Sequence, residues 1–130
     1  MAMTDEKDPL RRLLLDAAEI DRAALAEALA ERVGIDTKTG RIALLPGYAT
    51  LNSRQKALAV VLAAKAAFLL EIRENEAISA SELTSSSGLP SGTAGPSLRE
   101  LNQRGLAAQT KDRAYYVPNA RLKAAIEALG

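Results

Sequence analysis

Residues 78–118 read ISASELTSSSGLPSGTAGPSLRELNQRGLAAQTKDRAYYVP, and the start and stop signals within them decide the fold. Ser79, followed by Glu82, forms a capping box: the serine oxygen accepts from the Glu82 amide and the carboxylate reaches back to the Ser79 amide. The helix so started is short. Gly88 takes the left-handed conformation that ends it, and Leu89-Pro90 carries the chain away, because proline disfavours helical geometry in the residue before it. A second helix runs to Arg104, with Leu98 and Leu101 on one buried face and Gly105 as its stop. Ser91, Thr93 and Gly95 each offer it a start, and Pro96 discriminates among them. A start at Ser91 places the proline where it removes an intrahelical bond, whereas a start at Thr93 places it in the first turn, where donors are unpaired anyway. The spacing therefore predicts a helix over 93–104. Beyond Gly105, Leu106–Thr110 and Ala114–Val117 read as strands, with Lys111-Asp112-Arg113 as the turn between them. Alternation puts Tyr115 and Val117 on one face and Tyr116 on the other.

Two short helices joined by a tight turn and followed by a two-stranded hairpin are the layout of a winged helix-turn-helix. The run Gly92-Thr93-Ala94-Gly95-Pro96-Ser97-Leu98-Arg99-Glu100-Leu101, then Arg104-Gly105-Leu106, resembles the recognition helix and helix-to-wing junction of PadR-type and related MarR-like winged-helix regulators. The likeness extends over about residues 54–130. In the PadR pattern a G-T-x-Y-P-x-L run precedes an x-x-L-x-x-x-G-L signature; Pro96 fits it, and Gly95 stands where the pattern has an aromatic residue. The resemblance implies a DNA-binding transcriptional regulator that lays the recognition helix in the major groove of double-stranded DNA, with the wing on the backbone or in the minor groove.

In that docking the N-terminal part of the recognition helix enters the groove, so Ser91, Thr93, Ser97 and Arg99 are the expected contacts. Only Arg99 carries the fork that reads guanine; the short hydroxyls suit phosphate approach better. Arg104 has two readings, a DNA contact or an ion pair with Glu100. Lys111 and Arg113 at the wing tip are placed for phosphate or the minor groove, and Tyr116 for stacking or hydrogen bonding on the same surface, while Tyr115 belongs to the core.

Composition bounds the other classes. A chain of 130 residues can bury a core unaided, and without cysteine or histidine it has neither disulfides nor the usual zinc ligands. Acid–base, nucleophilic and metal chemistry all lack their residues, so no enzymatic activity and no cofactor are expected. The run Ser85-Ser86-Ser87 has no activating base nearby in sequence and reads as the polar end of a helix. Net charge is only +1, but residues 1–50 hold seven basic against nine acidic side chains and residues 51–130 hold ten against seven, so the winged-helix half is +3. An acidic N-terminus without a signal pattern favours the cytoplasm. A winged helix used as a protein-interaction module, without DNA, is the second reading.

The expected organisation is mainly α: an N-terminal helical extension with a short hairpin over 1–51, then the winged helix-turn-helix with a C-terminal helix over 52–130. Met1–Lys7 is polar. Asp8-Pro9 starts a helix ahead of Leu10, Leu13 and Leu14; either it continues through Glu19–Arg22, or Asp21 caps a second helix carrying Leu25, Leu29 and Val33 up to a stop at Gly34. Asp36 and Gly40 supply the turn of a hairpin over 33–44; the segment lacks the glycine spacing of a phosphate loop and the carboxylates of a calcium loop. Pro46-Gly47 is a further turn. Asn52 and Gln55 form a capping box for the longest helix, apolar from Ala57 to Leu70 except at Lys65 and ending in Glu71–Glu74, too short to span a membrane. So broad an apolar surface needs cover either from the N-terminal helices or from a second subunit, and a homodimer is expected. The C-terminal helix, with Leu122, Ile126 and Leu129 on one face, either pairs with its copy or packs back on the long helix.

Overall fold

The computed structural model describes residues 22–130; the Asp8-Pro9 helix start and the alternatives near residue 20 lie outside them. Residues 22–29 form helix α1, which turns Leu25 and Leu29 inward, one helical turn apart. The helix does not extend to Val33, nor does Gly34 stop it. Glu31 takes a left-handed φ of 66°, and its carbonyl and that of Arg32 accept from Gly47 and Leu45 at 2.8 and 2.9 Å, so the chain is bound sideways there instead of winding on. Val33 is buried all the same, but from strand β1 (Val33–Ile35).

Strand β2 (Ile42–Leu44) pairs antiparallel with β1, Val33 opposite Leu44 and Ile35 opposite Ile42, as the turn chemistry predicts. The Asp36 carboxylate accepts from the Lys38 and Thr39 amides at 2.8 and 3.0 Å. Those bonds, from Thr39 first and Lys38 next, hold its carboxyl below the usual carboxylate range. The Pro46-Gly47 turn opens a 3-10 segment (Pro46–Thr50) that buries Tyr48. A Cβ on Gly47 would stand 2.6 Å from the Glu31 carbonyl, so no larger residue fits without moving the backbone.

Helix α2 (Ser53–Leu69) starts with the expected capping box: the Asn52 side chain accepts from the Gln55 amide at 2.8 Å and the Gln55 side chain accepts from the Asn52 amide at 3.0 Å. It ends before Glu71–Glu74, because Glu71 turns to φ 61° and the Ile72 and Arg73 amides fold back onto the Ala67 carbonyl. Ten of its residues are buried, Lys65 among them, with the ammonium 2.8 Å from Glu76. No helix among the described residues is long and apolar enough to cross a membrane.

Helices α3 (Ala80–Ser87) and α4 (Ser91–Gln103) follow, joined through Gly88 at φ 75°. Only half of the Ser79 capping box forms. Ser79 Oγ accepts from the Glu82 amide at 3.1 Å, but the Glu82 carboxylate is taken by the Arg73 guanidinium at 2.6 and 3.3 Å, a charged fork that outcompetes a neutral amide. Helix α4 begins at Ser91 rather than Thr93 and contains Pro96. The Pro90 carbonyl accepts from both Thr93 and Ala94 at 2.9 Å, setting the helix two residues early, and burial of Ala94, Ser97, Leu98 and Leu101 outweighs the bond that Pro96 omits.

Strands β3 (Ala108–Gln109) and β4 (Tyr115–Tyr116) pair antiparallel around the Lys111–Arg113 turn, and Ile78 exchanges both backbone bonds with Tyr115 at 2.8 Å. They are shorter than the sequence predicts, since the Leu106 and Ala107 amides close the end of α4 on the Leu101 carbonyl instead of joining the ladder. Tyr115 and Val117 are buried and Tyr116 is partly exposed, as alternation requires. A 3-10 turn (Asn119–Arg121) leads into α5 (Leu122–Leu129), which packs on α2 through Leu122, Ala125 and Leu129, with Ile126 partly buried.

The fold is thus mainly helical with two small hairpins around α2. Leu25, Leu29, Val33, Tyr48 and Leu51 belong to the same continuous core as Leu83, Leu98, Leu101, Val117 and Leu129. Cover for the apolar helix comes from within the chain.

Candidate nucleic-acid interface

Helix α4 buries Ala94, Leu98 and Leu101, so by helical geometry Gly95, Arg99, Asn102 and Gln103, spaced by three or four residues, share its outer face. The β3–β4 hairpin rises beside that face. Between the two lies an open depression of about 440 Å³, lined by Ala80, Gly95, Arg99, Asn102, Gln103, Gln109, Arg113 and Tyr115. Two guanidinium groups from different elements therefore meet one concavity, and none of its lining residues is acidic.

Arg99, Lys111 and Arg113 are exposed and form no ion pair with another described residue. The Arg99 side chain lies back along the helix, with Nη1 3.6 Å from where a Gly95 Cβ would be. Arg113 sits in the turn at φ 63°, a conformation that glycine or asparagine adopts at lower cost. Arg104 is engaged elsewhere. Glu100 accepts from Arg54 at 2.6 Å and from Arg104 at 3.0 Å, and these bonds, Arg54 foremost, hold its carboxyl below the ordinary range.

The remaining expected contacts are placed unequally. Ser91 is exposed in the first turn of α4, and neither its amide nor that of Gly92 is hydrogen-bonded to another described residue. Thr93 is half-buried. Ser97 is 7% exposed and turned to the core with Leu98, so it is not on the interface surface. Tyr116 lies on the hairpin face opposite Tyr115 and Lys111 at the tip, both outside the depression. Sequence reasoning missed Asn102, Gln103 and Gln109. The first two stand three and four residues after Arg99, a spacing that marks a shared face; Gln109 carried no signal until β3 was paired.

A second concavity, of about 500 Å³, lies between the β1–β2 hairpin and α3, lined by residues that include Arg41, Arg73, Ser85 and Ser86. Its Arg73 is already bound to Glu82, which also lines it. No protein-family model, curated protein or solved structure matches the chain.

Proposed function

We propose that α3 and α4 are the helix-turn-helix and β3–β4 the wing of a winged-helix domain that binds double-stranded DNA, and that the protein acts as a homodimeric transcriptional regulator. The observation that carries this reading is the convergence of Arg99 and Arg113 on one depression between α4 and the hairpin whose lining holds no carboxylate. Cations that form no ion pair among the described residues attract a polyanion, and a helix beside a hairpin suits neighbouring grooves of a duplex. The unbonded amides of Ser91 and Gly92 add donors at the positive end of α4. The strained turn at Arg113 supports a binding role for that side chain, because left-handed conformations at residues other than glycine gather at functional positions.

For the dimer, the support is apolar exposure at the end of α2, where Phe68 and Leu70 are 37% and 58% exposed. The same side chains, with Leu44 and Leu45, favour the second reading, a winged helix that docks another protein and leaves DNA alone.

Fluorescence anisotropy with a labelled duplex at low and moderate salt separates the two. DNA binding predicts an affinity that falls steeply with salt and falls again in Arg99→Ala and in the Lys111→Ala/Arg113→Ala double variant. A folded wild-type protein that leaves the duplex free even at low salt would return the function to protein docking.

A further inference from the structure

The shape of the candidate interface constrains what each arginine touches. A helix and a hairpin tip are convex and enter grooves; the hollow between them cannot enter a groove and must receive a ridge. On duplex DNA the ridge between major and minor groove is the sugar–phosphate backbone. Resting on the DNA-binding reading above, we infer that the depression between α4 and the β3–β4 hairpin is a seat for one backbone strand, in which Arg99 and Arg113 flank the same phosphodiester segment and Asn102 and Gln109 donate to its oxygens.

Three features fit a phosphate rather than a base edge. The lining offers two guanidinium forks and neutral amides with no carboxylate, which matches an acceptor-only anion. The Arg99 guanidinium lies low over Gly95, with Nη1 3.6 Å from where a Cβ would stand, so a charged fork forms part of the floor of the hollow. The lining also draws from three elements, α3 through Ala80, α4 and the hairpin, so the strand is enclosed from both sides instead of being read along one edge. Arg99 is thereby assigned to the backbone and not to guanine. No side chain in the first turn of α4 carries a base-reading fork, so binding is dominated by charge and shape.

The test compares wild-type protein with Arg99→Ala, Arg113→Gly, Asn102→Ala, Gln109→Ala and the Arg99→Ala/Arg113→Gly double variant, on one G·C-rich and one A·T-rich duplex, across 50–200 mM salt. Glycine suits the left-handed turn at 113, and all four side chains are exposed, so melting temperatures serve as a check on folding. Each arginine variant is expected to weaken binding about tenfold, by the same factor on both duplexes. Each also flattens the slope of log affinity against log salt by about 0.9. The double variant loses less than the product of the two, because both groups act on one segment. The amide variants weaken both duplexes equally. Selective loss on the G·C-rich duplex in Arg99→Ala, with the slope unchanged, would overturn the seat while leaving DNA binding intact. Failure of the wild-type protein to bind either duplex at 50 mM salt would remove both the seat and the DNA reading beneath it.

Discussion

Lys65 is the residue whose environment departs furthest from its chemistry. It is 2% exposed within the apolar stretch of α2, and among the described residues its charge is met by Glu76 alone at 2.8 Å. Removing the partner strands a buried ammonium, whereas removing the charge itself does not. Glu76→Gln is therefore expected to destabilise the fold by about 2–3 kcal/mol, and Lys65→Met to change stability by less than about 1 kcal/mol, both read from urea unfolding. Equal losses in the two variants would mean that the pair contributes through packing. In the sequence Lys65 is merely the one interruption of an apolar run. Its partner, eleven residues on and past the helix end, was not readable, because the pairing depends on how the chain folds back after Glu71. Ser97 illustrates the opposite limit. The residue is a groove contact by type, but it stands three residues after Ala94 and four before Leu101, and burial of that face turns it inward.

At the scale of elements, local signals worked where one residue's backbone geometry decides the matter. The Asn52 cap, the Asp36 turn, and the left-handed Gly88 and Gly105 all sit where their chemistry places them. They failed where distant parts of the chain compete. Glu82 left its capping box for Arg73; α1 gave up Val33 to a strand; and α4 ran through Pro96 because its buried face outweighed one omitted bond. The last case yields a prediction. Pro96 sits in the second turn of α4, with no N–H to offer the Gly92 carbonyl. Pro96→Ala restores that bond, and although alanine also loosens the unfolded chain, the net gain is expected to be about 1–2 kcal/mol. Thermal melting would read this as a higher midpoint. A lower one would mean that the ring's own packing stabilises the helix start.

For the whole molecule, the division at residue 52 anticipated from sequence is crossed by a single core. Leu25, Leu29, Val33, Tyr48 and Leu51 share one buried cluster with α2 and the elements that follow it. A chain cut to residues 52–130 is accordingly expected to lose cooperative unfolding and to aggregate; a sharp melt from that fragment would show that residues 52–130 fold without the extension. One bond across the division is itself measurable. The Tyr48 hydroxyl donates to the Ser87 carbonyl at 2.6 Å, and burial pushes its pKa up to about 12. Since the unfolded phenol ionises near pH 10, this group's contribution is whole below about pH 10 and is lost as pH rises towards about 12. Tyr48→Phe is expected to cost about 1 kcal/mol at neutral pH and to flatten the fall of stability across that alkaline window. An unchanged alkaline slope would assign the fall to other groups.

The enclosure of α2 also governs how the protein is made. Its ten buried positions are covered partly by α1 and β1, which leave the ribosome earlier, and partly by α5, which leaves last among the described elements. Arg32 repeats this order in a single residue, holding the Gly130 carbonyl at 2.8 Å across nearly a hundred positions. During synthesis the most deeply buried of the described helices therefore waits, partly covered, for α5, and the nascent chain presents a greasy surface to chaperones until that helix arrives.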